Sequence, residues 1–473
     1  MYSTKNKQTI CIIVDNPFRD LDSSVLLARE LTLRQFNVSL VPMYVAGYEI
    51  PLIGPDYVLF NYARTNNQDI IKNLNLSGVT IGILDTEGAV WESGEQFSKR
   101  IAHKELKSEI KQYFTWGKAQ KSLLLKHTVL NPDSIQVTGS PRYDFSSAPL
   151  RDCIKEYDLT MTNFILVISN FALSFPRFVS RETEIKNFLD IGYPLQYVET
   201  RISDELRAKK ELINTISKLT KLFPDQEIVI RIHPFEDEAE YKNYFKNFKT
   251  VSIVREGTIA GWLKSAAMVL HLNSSAAVDA VLMKVPTYSL DWVSTDLIRG
   301  TSILPISISQ ILPSFEDLVA VVKNKSHIQF KTSAHANELL SEWFHELDGK
   351  AYLRVANQIT QMLEAKNQHF DHSSRLRLFF SGCKNKTSAV SLVDSLGLLI
   401  CGSKIYRWIR NNLLTKRPFT NKKSDKYFDE RQVSEILVRL NSIDSNKLIA
   451  RRTQIENKVL SRALGSSITI RPV

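Results

Sequence analysis

Short apolar runs alternate with segments of helical spacing along the first 300 positions of the chain. Thr9–Val14 is almost continuously apolar, which is typical of a strand buried on both faces of a parallel sheet. The segment 23–35 follows with valine and leucines at helical spacing, and Asp22 or Ser23 is its predicted N-cap. A longer helix is predicted at 97–113. This alternation of strands and helices predicts an α/β fold with doubly wound sheets.

The pattern of alternating strands and helices occurs twice along the chain, which predicts two Rossmann-like domains. A looser stretch at 145–159 separates the two passes, so the first domain is predicted at 1–150 and the second at 151–366. Two helices are predicted to close the second domain just before its end. The remaining residues, 367–473, are predicted to form a basic, mostly helical extension.

The basic excess of the chain lies in this extension. The net charge is +11, and residues 371–473 contain 20 Lys or Arg against 8 Asp or Glu, so the first 370 residues are nearly neutral. Such asymmetry predicts a polyanionic partner, either a membrane surface or a nucleic acid. The four cysteines are scattered without metal-ligand or redox spacing, as in reduced cytoplasmic proteins. We identify neither a secretory leader nor an apolar stretch of the ~20 residues that a membrane span needs, so a cytoplasmic location is predicted.

Four loops that follow predicted strands carry charged or polar side chains beyond the carboxyl ends of those strands, where ligands bind in open α/β sheets. They are Asp85-Thr86-Glu87-Gly88, Thr138-Gly139-Ser140-Pro141-Arg142, Arg231-Ile232-His233-Pro234 and Asn273-Ser274-Ser275. No glycine-rich dinucleotide loop follows the first strand, where Asp15-Asn16-Pro17-Phe18-Arg19 stands instead. The chain also lacks P-loop, zinc-protease and nucleophile-elbow motifs, which disfavours dehydrogenases, P-loop NTPases, zinc proteases and lipase-like hydrolases.

The first of these loops places two carboxylates, Asp85 and Glu87, two positions apart after a strand. A carboxylate at a strand end in a cleft can act as a general base, and paired hard oxygens can also hold a divalent metal. Gly88 would let a ligand approach the backbone closely. The alternative is an ordinary turn, in which aspartate and glycine are both common.

The third and fourth loops combine an arginine, a histidine and paired hydroxyls, a set that suits a phosphate group. His233 can hold a phosphate and donate a proton to it. Ser274 and Ser275 stand where a helix is predicted to begin, and the unpaired backbone N–H groups there favour an anion. The alternatives are a simple serine N-cap, a structural histidine, and a surface ion pair of Arg231 with Glu236 or Asp237.

Taken together, these loops resemble those of bacterial GT-B glycosyltransferases of surface carbohydrate biosynthesis. Related families are the capsule Kdo transferases and the bacterial sialyl- and polysialyltransferases, which carry an acidic-acidic-Gly motif, a His-Pro motif and a Ser/Thr pair. The matching positions here are Glu87-Gly88, His233-Pro234 and Ser274-Ser275. VTGSPRYD (137–144), RIHPFED and HLNSSAAVDAVLMKVP also look like segments of CDP-glycerol polymerases and sugar 2-epimerases. The chain departs from the acidic motif at Thr86, with Asp85 one position earlier.

The resemblance covers residues 8–300 and implies a GT-B fold, in which two Rossmann-like domains face a cleft. It implies a CMP-sugar donor carrying Kdo, sialic acid or another nonulosonic acid, and a surface polysaccharide or glycolipid acceptor. Glu87 or Asp85 would be the general base, and no metal or other cofactor would be required. The donor phosphate would be held by Arg231, His233, Pro234, Asn273, Ser274 and Ser275, and the substrates by Gly88, Arg142 and Arg19.

Two other functions stay open. A CDP-alditol-dependent polyol-phosphate transferase would use the same phosphate-holding residues, so only a donor screen separates it from a CMP-sugar transferase. A non-catalytic protein of GT-B-like fold is the other alternative, because Thr86 stands where the motif has an acid.

Within the basic extension, the segment 388–423 interleaves apolar residues, including Trp408, with lysines and arginines. A basic amphipathic stretch of this kind suits anionic lipid headgroups, and it predicts peripheral binding to the inner face of the cytoplasmic membrane. The alternative is a helical subdomain packed on the rest of the protein. Nucleic acid is not predicted as a partner, because no recognition module accompanies the charge. Deletion beyond 368 is expected to release the protein from membranes.

Overall fold

The computed structural model describes residues 7–88, 94–157, 161–325, 329–366, 369–383, 392–412 and 426–473. These residues fold into two compact units. The first unit combines the chain up to Cys153 with the chain from Glu342 onward, and the second extends from Ile154 to Ser341.

The strands of both units are numbered here in chain order. They are β1 (Thr9–Val14), β2 (Asn37–Pro42), β3 (Tyr57–Phe60), β4 (Thr80–Leu84), β5 (Ile110–Thr115), β6 (Ile135–Val137), β7 (Phe164–Ile168), β8 (Ile228–Arg231), β9 (Val251–Val254), β10 (Ala266–His271), β11 (Thr287–Leu290), β12 (Gln310–Leu312), β13 (Leu448–Arg452) and β14 (Ile468–Pro472).

The α-helices are numbered in the same way. They are α1 (Pro17–Leu33), α2 (Ala46–Ile53), α3 (Gln68–Leu76), α4 (Gly94–Arg100), α5 (Lys118–His127), α6 (Arg181–Ile191), α7 (Leu195–Leu222), α8 (Ala239–Phe245), α9 (Ile259–Leu263), α10 (Ala276–Leu282), α11 (Asp296–Gly300), α12 (Ile303–Ser307), α13 (Phe315–Lys323), α14 (Ala334–Trp343), α15 (Ala351–Glu364), α16 (Arg375–Cys383), α17 (Leu392–Asn412), α18 (Glu430–Asn441) and α19 (Lys458–Ala463).

The first unit is built on a mixed sheet with the strand order β13-β14-β2-β1-β3-β4-β5-β6. Strands β1 to β6 run parallel to one another. The C-terminal pair, β13 and β14, continues this sheet beside β2 in antiparallel orientation. The central strand β1 is apolar because it lies deep in the unit, where Ile10, Cys11 and Val14 have no exposed surface.

The second unit is built on a fully parallel sheet with the strand order β12-β11-β10-β7-β8-β9. This is the doubly wound Rossmann order, in which the chain starts at the centre, fills one side and then crosses to the other. Ile165, Ile228, Ile230 and Met268 form the middle of its core and have no exposed surface. Together the two sheets confirm the predicted α/β class with two Rossmann-like domains.

Two predicted helices have the wrong bounds. Helix α1 begins at Pro17 rather than near 23, and its N-cap is Asn16, whose side chain accepts a hydrogen bond from the Phe18 amide. The helix predicted at 97–113 ends at Arg100, and β5 already begins at Ile110. Apolar residues between those points are buried at helical spacing, but the backbone there forms turns and not a helix.

The predicted end of the second domain at 366 is wrong, because the chain returns to the first unit near Glu342. Helix α15 therefore packs in the first unit, against α1. The buried Asp144 carboxylate holds its first turn by accepting hydrogen bonds from the Ala351 and Tyr352 amides, at 2.9 and 2.8 Å. The prediction took α15 for a closing helix of the second domain because the chain position alone placed it there.

The C-terminal residues are not a separate extension either. Strand β14 pairs with β2, and α16 and α18 pack against α2 and α1. The fully buried Glu49 carboxylate accepts hydrogen bonds from the Gly465 and Ser467 amides at 3.0 and 2.8 Å, which fixes the turn before β14. The described part of 369–473 thus completes the sheet and the core of the first unit.

Candidate functional site

The carboxylate loop of the first unit lies at the carboxyl end of β4, as predicted, and Asp85 is its buried member. One carboxylate oxygen of Asp85 accepts a hydrogen bond from the Glu87 amide at 2.8 Å, and the other accepts from the Tyr113 hydroxyl at 3.2 Å. The Trp116 indole N–H donates to the Asp85 carbonyl at 2.8 Å. Burial raises the pKa of the Asp85 carboxyl, against the opposing pull of Arg64.

Glu87 is half-buried and lies between two guanidinium groups. Its carboxylate is 2.7 Å from Arg64 and 3.5 Å from Arg19. Burial favours the neutral form of Glu87, but the two arginines outweigh it and hold its pKa at about 2. Glu87 is therefore an anion at every physiological pH.

Arg19 belongs to a network of ion pairs at the carboxyl ends of β1, β3 and β4. Besides Glu87, its guanidinium contacts Asp15 at 2.9 Å and Asp20 at 2.7 Å. Lys426, from the C-terminal part of the chain, binds the second oxygen of Asp15 at 2.9 Å. Arg19 therefore bonds mainly to carboxylates of its own unit, which differs from the predicted role in holding a substrate.

A cavity of about 40 Å³ lies beside Asp85 and is lined by residues from the ends of β1, β3, β4 and β5. Its polar lining includes Asp85, Thr86, Asn61, Ser140 and Arg142, together with side chains of α1. A cavity of this size has room for ordered water close to the carboxylate. Of the predicted substrate residues, Arg142 thus lies in the same pocket as Asp85.

Gly88 and Arg142 make close contacts within the first unit. A side chain at Gly88 would meet the Gln120 amide at 2.8 Å and the Trp116 ring at 2.9 Å, so glycine is needed there for packing. The Arg142 guanidinium lies 5.3 Å from the centre of the Tyr143 ring, in cation–π contact.

The His-Pro loop of the second unit follows β8, as predicted. His233 is half-buried, and its Nδ1 accepts a hydrogen bond from the Phe235 amide at 3.3 Å. An imidazole that accepts at Nδ1 carries its proton at Nε2 in the neutral form. The loop thus holds the ring in the tautomer that can donate a hydrogen bond from Nε2.

Arg231 braces the neighbouring loop. Its guanidinium donates to the carbonyl oxygens of Glu256 and Gly257 at 2.8 and 2.5 Å, beyond the end of β9. These bonds differ from both predicted roles, which were to hold a donor phosphate or to pair with Glu236 or Asp237. Burial lowers the pKa of Arg231 to about 10, so its guanidinium stays charged at neutral pH.

Arg255, which the sequence analysis missed, braces the His-Pro loop in return. Its guanidinium donates to the carbonyl oxygens of His233 and Glu236, both at 2.8 Å, and of Pro234 at 3.2 Å. It also contacts the Glu238 carboxylate at 2.9 Å. The arginines at the ends of β8 and β9 therefore each hold the backbone of the other strand's loop.

The Asn-Ser-Ser loop follows β10, on the other side of β7 from the His-Pro loop. The buried Asn273 side chain donates to the Ile298 carbonyl at 2.9 Å, and so it braces α11 and not a ligand. The Ser274 hydroxyl is buried and accepts from the Ala276 amide at 3.3 Å. Ser275 is exposed at the N-cap of α10, where its side chain makes no capping hydrogen bond.

A buried ion pair beneath the His-Pro loop was also missed. The Lys209 ammonium lies 3.3 Å from the Glu236 carboxylate, and both residues are almost fully buried. Glu236 accepts further hydrogen bonds from the Ser169 hydroxyl at 2.5 Å and the Phe171 amide at 3.1 Å, which ties the loop to the end of β7. Burial raises the pKa of Glu236, against the opposing effect of Lys209. No sequence signal distinguished these residues from surface charges.

No protein-family model matches the chain, and no curated protein matches it. Among solved structures, a Listeria monocytogenes protein described as a UDP-N-acetylglucosamine 2-epimerase is 14% identical, with a TM-score of 0.48, over 77% of this chain and 99% of that one. The UDP-GlcNAc 2-epimerase of Methanocaldococcus jannaschii is 13% identical, with a TM-score of 0.46, over 75% of this chain and 99% of that one. The wall teichoic acid polymerase TagF, in a variant soaked with CDPG, is 12% identical, with a TM-score of 0.48, over 79% of this chain and 90% of that one.

Similarities of this degree transfer neither an activity nor a substrate to this chain. The α/β class of the chain follows from its own strand order.

Proposed function

We propose that the protein is a glycosyltransferase that moves a sugar from a CMP-sugar donor to a hydroxyl group of a surface polysaccharide or glycolipid acceptor. The sugar is Kdo, sialic acid or another nonulosonic acid. The proposal combines the motif resemblance with the chemistry of the side chains at the carboxyl ends of the two parallel sheets.

The observation that carries the proposal is the position of complementary groups after parallel strands. The carboxylates of Asp85 and Glu87 follow β4, the imidazole of His233 follows β8, and the hydroxyl of Ser275 follows β10. Ligands of open α/β sheets bind at this edge. A carboxylate, a donor imidazole and a hydroxyl are the groups that sugar transfer from a phosphate ester needs.

We assign the role of general base to Asp85. A base works best when its pKa approaches the working pH, and burial shifts the pKa of Asp85 in that direction. Glu87, with a pKa of about 2, is too weak a base and instead fixes the guanidinium groups of Arg64 and Arg19. Asp85 also lines the cavity in which an acceptor hydroxyl or a water molecule would lie.

We assign His233 and Ser275 to the donor phosphate. The Nε2–H of His233 would donate to a phosphate oxygen, and its tautomer is set by the Phe235 amide. A CMP leaving group is a single phosphate ester, so two hydrogen-bond donors and no metal ion suffice in this scheme. Arg231 would act indirectly, by keeping the loop after β9 in place.

The test is a donor screen with the purified full-length protein. CMP-Kdo, CMP-sialic acid, CDP-glycerol and UDP-N-acetylglucosamine are each incubated with the enzyme, and release of the nucleotide is followed by chromatography. We expect release of CMP from a CMP-sugar, and a loss of about 10²–10³-fold in kcat for His233→Asn. His335→Asn, at an exposed histidine of the same unit, is the matched control and should keep full activity.

Turnover of CDP-glycerol with no release of CMP from the CMP-sugars would replace this proposal by the polyol-phosphate transferase. If none of the donors is turned over or bound, the non-catalytic alternative is favoured.

A further inference from the structure

Large apolar side chains are exposed on the helices that follow residue 374. On α17, Leu396 and Ile400 keep 47% and 76% of their surface exposed, and Ile405 and Trp408 keep 60% and 61%. Leu376, on α16, is 47% exposed. We refer to these five residues as the apolar set. Helix α17 bends at Gly402, so the members on each side of the bend, which are spaced by four or three residues, share a helix face.

The same helices are strongly basic. Helix α17 packs against α16 and α19, and the three contain seven Lys or Arg in sequence, while Asp394 is their single acid. Of the described basic side chains, those of Arg377, Lys404, Lys458 and Arg462 are exposed. Lys404 lies one helical turn before Trp408, so a cation and an indole ring occupy the same face of α17.

We propose that α16, α17 and α19 form a docking surface for an anionic lipid bilayer. The apolar set would enter the boundary between headgroups and acyl chains, while the cations bind the anionic headgroups. Tryptophan is suited to this depth because its ring is apolar and its N–H is polar. None of the described helices carries an apolar stretch long enough to cross a bilayer.

Charge favours a lipid surface over a second copy of the chain. In a two-fold dimer the same face of both copies would meet, so the exposed cations of one copy would be brought against those of the other. An anionic bilayer instead offers opposite charge next to an apolar layer. Exposed apolar surface surrounded by cations is the combination that binds such bilayers.

The test is flotation of the full-length protein with lipid vesicles. One set contains phosphatidylcholine with a third of phosphatidylglycerol, and the other contains phosphatidylcholine alone. We expect the protein to float with the anionic vesicles only, and raised salt to weaken binding. The fluorescence of Trp408 is expected to shift to shorter wavelength on binding, compared with a Trp408→Phe variant.

Substitutions separate the apolar from the electrostatic contribution. Ile400→Ser with Ile405→Ser should lower vesicle binding by at least about tenfold, because two exposed side chains lose their apolar contact with the acyl boundary. Lys404→Glu should lower vesicle binding by about fivefold per unit of charge changed. Val438→Ser is the matched control, since Val438 is 70% exposed on α18, outside the docking surface. Its binding should equal that of the wild type.

Three results would overturn the proposal. They are an absence of binding to anionic vesicles, unchanged binding of the Ile400/Ile405 variant, and a concentration-dependent dimer that the same two substitutions abolish without any vesicle binding. Circular dichroism melting of each variant checks the fold, and we expect it to be kept because all of the substituted side chains are exposed.

Discussion

Asp85 and Glu87 lie two residues apart, yet their surroundings move their pKa values in opposite directions. Burial raises the pKa of Asp85, while Arg64 and Arg19 hold that of Glu87 at about 2. Neighbouring carboxylates with separated pKa values take different roles in many active sites. The separation is the reason why we propose Asp85 for proton transfer and Glu87 for charge balance.

The pH dependence of activity tests this assignment. If Asp85 is the base, kcat/KM rises with pH as its carboxyl loses its proton, and the midpoint lies above the ordinary aspartate pKa of about 4. Glu87→Gln removes a negative neighbour that contributes to the raised pKa of Asp85, so the midpoint should move to lower pH. Asp85→Asn should lower kcat by at least about 10²-fold. A profile that is flat above pH 4, together with an inactive Glu87→Gln variant and an active Asp85→Asn variant, would assign the base to Glu87.

Arg255 is a positioning residue in this scheme, because it holds three carbonyl oxygens of the loop that carries His233. Arg255→Ala should lower kcat by about 10–100-fold, since small displacements of a catalytic group are costly. KM for the donor should change less. Arg255→Lys keeps the charge and part of the hydrogen bonding, so it should recover part of kcat. Arg431→Ala is the control, at an exposed arginine paired with Glu435.

A thermal melt of both Arg255 variants distinguishes positioning from general destabilisation. If kcat falls only in proportion to the folded fraction at the assay temperature, the positioning role is wrong.

The sequence located the polar loops but not what each side chain bonds to. Asp85 and His233 could be predicted because each follows a strand at the edge where ligands bind. Arg231 and Asn273 occupy the same kind of position, yet they bind backbone carbonyls of residues 25 or 26 positions away in the chain. Partners of this kind leave no pattern in the sequence, so a bracing arginine and a phosphate-binding arginine look alike.

At the scale of elements, buried strands were predictable because β1, β3 and β7 are almost continuous apolar runs between polar turns. The start of α1 was missed even though Asn16 and Pro17 form a standard start signal, since polar residues occupy its first turns. The segment after α4 was mistaken for helix because Ala102 and Leu106 are buried four positions apart, although they lie outside any helix. Hydrophobic periodicity indicates which residues are buried. It indicates a helix only where the backbone also makes helical hydrogen bonds.

The contact between Asp144 and α15 offers a test at this scale. Asp144 lies in a 3-10 helix of the first part of the chain, and it satisfies two backbone amides of α15 from more than 200 residues away. Asp144→Ala would leave both amides without their acceptor in a buried setting, so we expect a loss of about 1–3 kcal/mol in the free energy of unfolding. Urea denaturation measures it. Asp133→Ala, at an exposed aspartate of another 3-10 helix, should change stability by less than about 0.5 kcal/mol.

For the whole molecule, charge distribution suggested a neutral body with a basic tail, and the fold revises that division. Lys426 counts toward the basic excess, but it lies 2.9 Å from Asp15 beside the candidate site. Strands β13 and β14 were not predicted, because they are short and join the sheet only through the pairing of β14 with β2, about 430 positions earlier in the chain. The pairing of β14 with β2 could be identified only once the structure showed that β2 would otherwise be an unpaired edge strand.

The position of β14 predicts the result of truncation. A chain that ends at residue 447 lacks β13, α19 and β14, and it leaves β2 as an unpaired edge with Val38 and Leu40 uncovered. It also loses the buried side chains of Ile468 and Ile470, each worth about 1.5–3 kcal/mol. We expect the truncated protein to aggregate, because an exposed apolar edge strand pairs with other chains. Size-exclusion chromatography and thermal melting measure this, and a synthetic 448–473 peptide added during refolding should restore monomer. A monomeric truncated protein with the melting temperature of the full chain would contradict it. For the same reason, deletion beyond 368 cannot separate membrane binding from folding, and substitution of exposed side chains can.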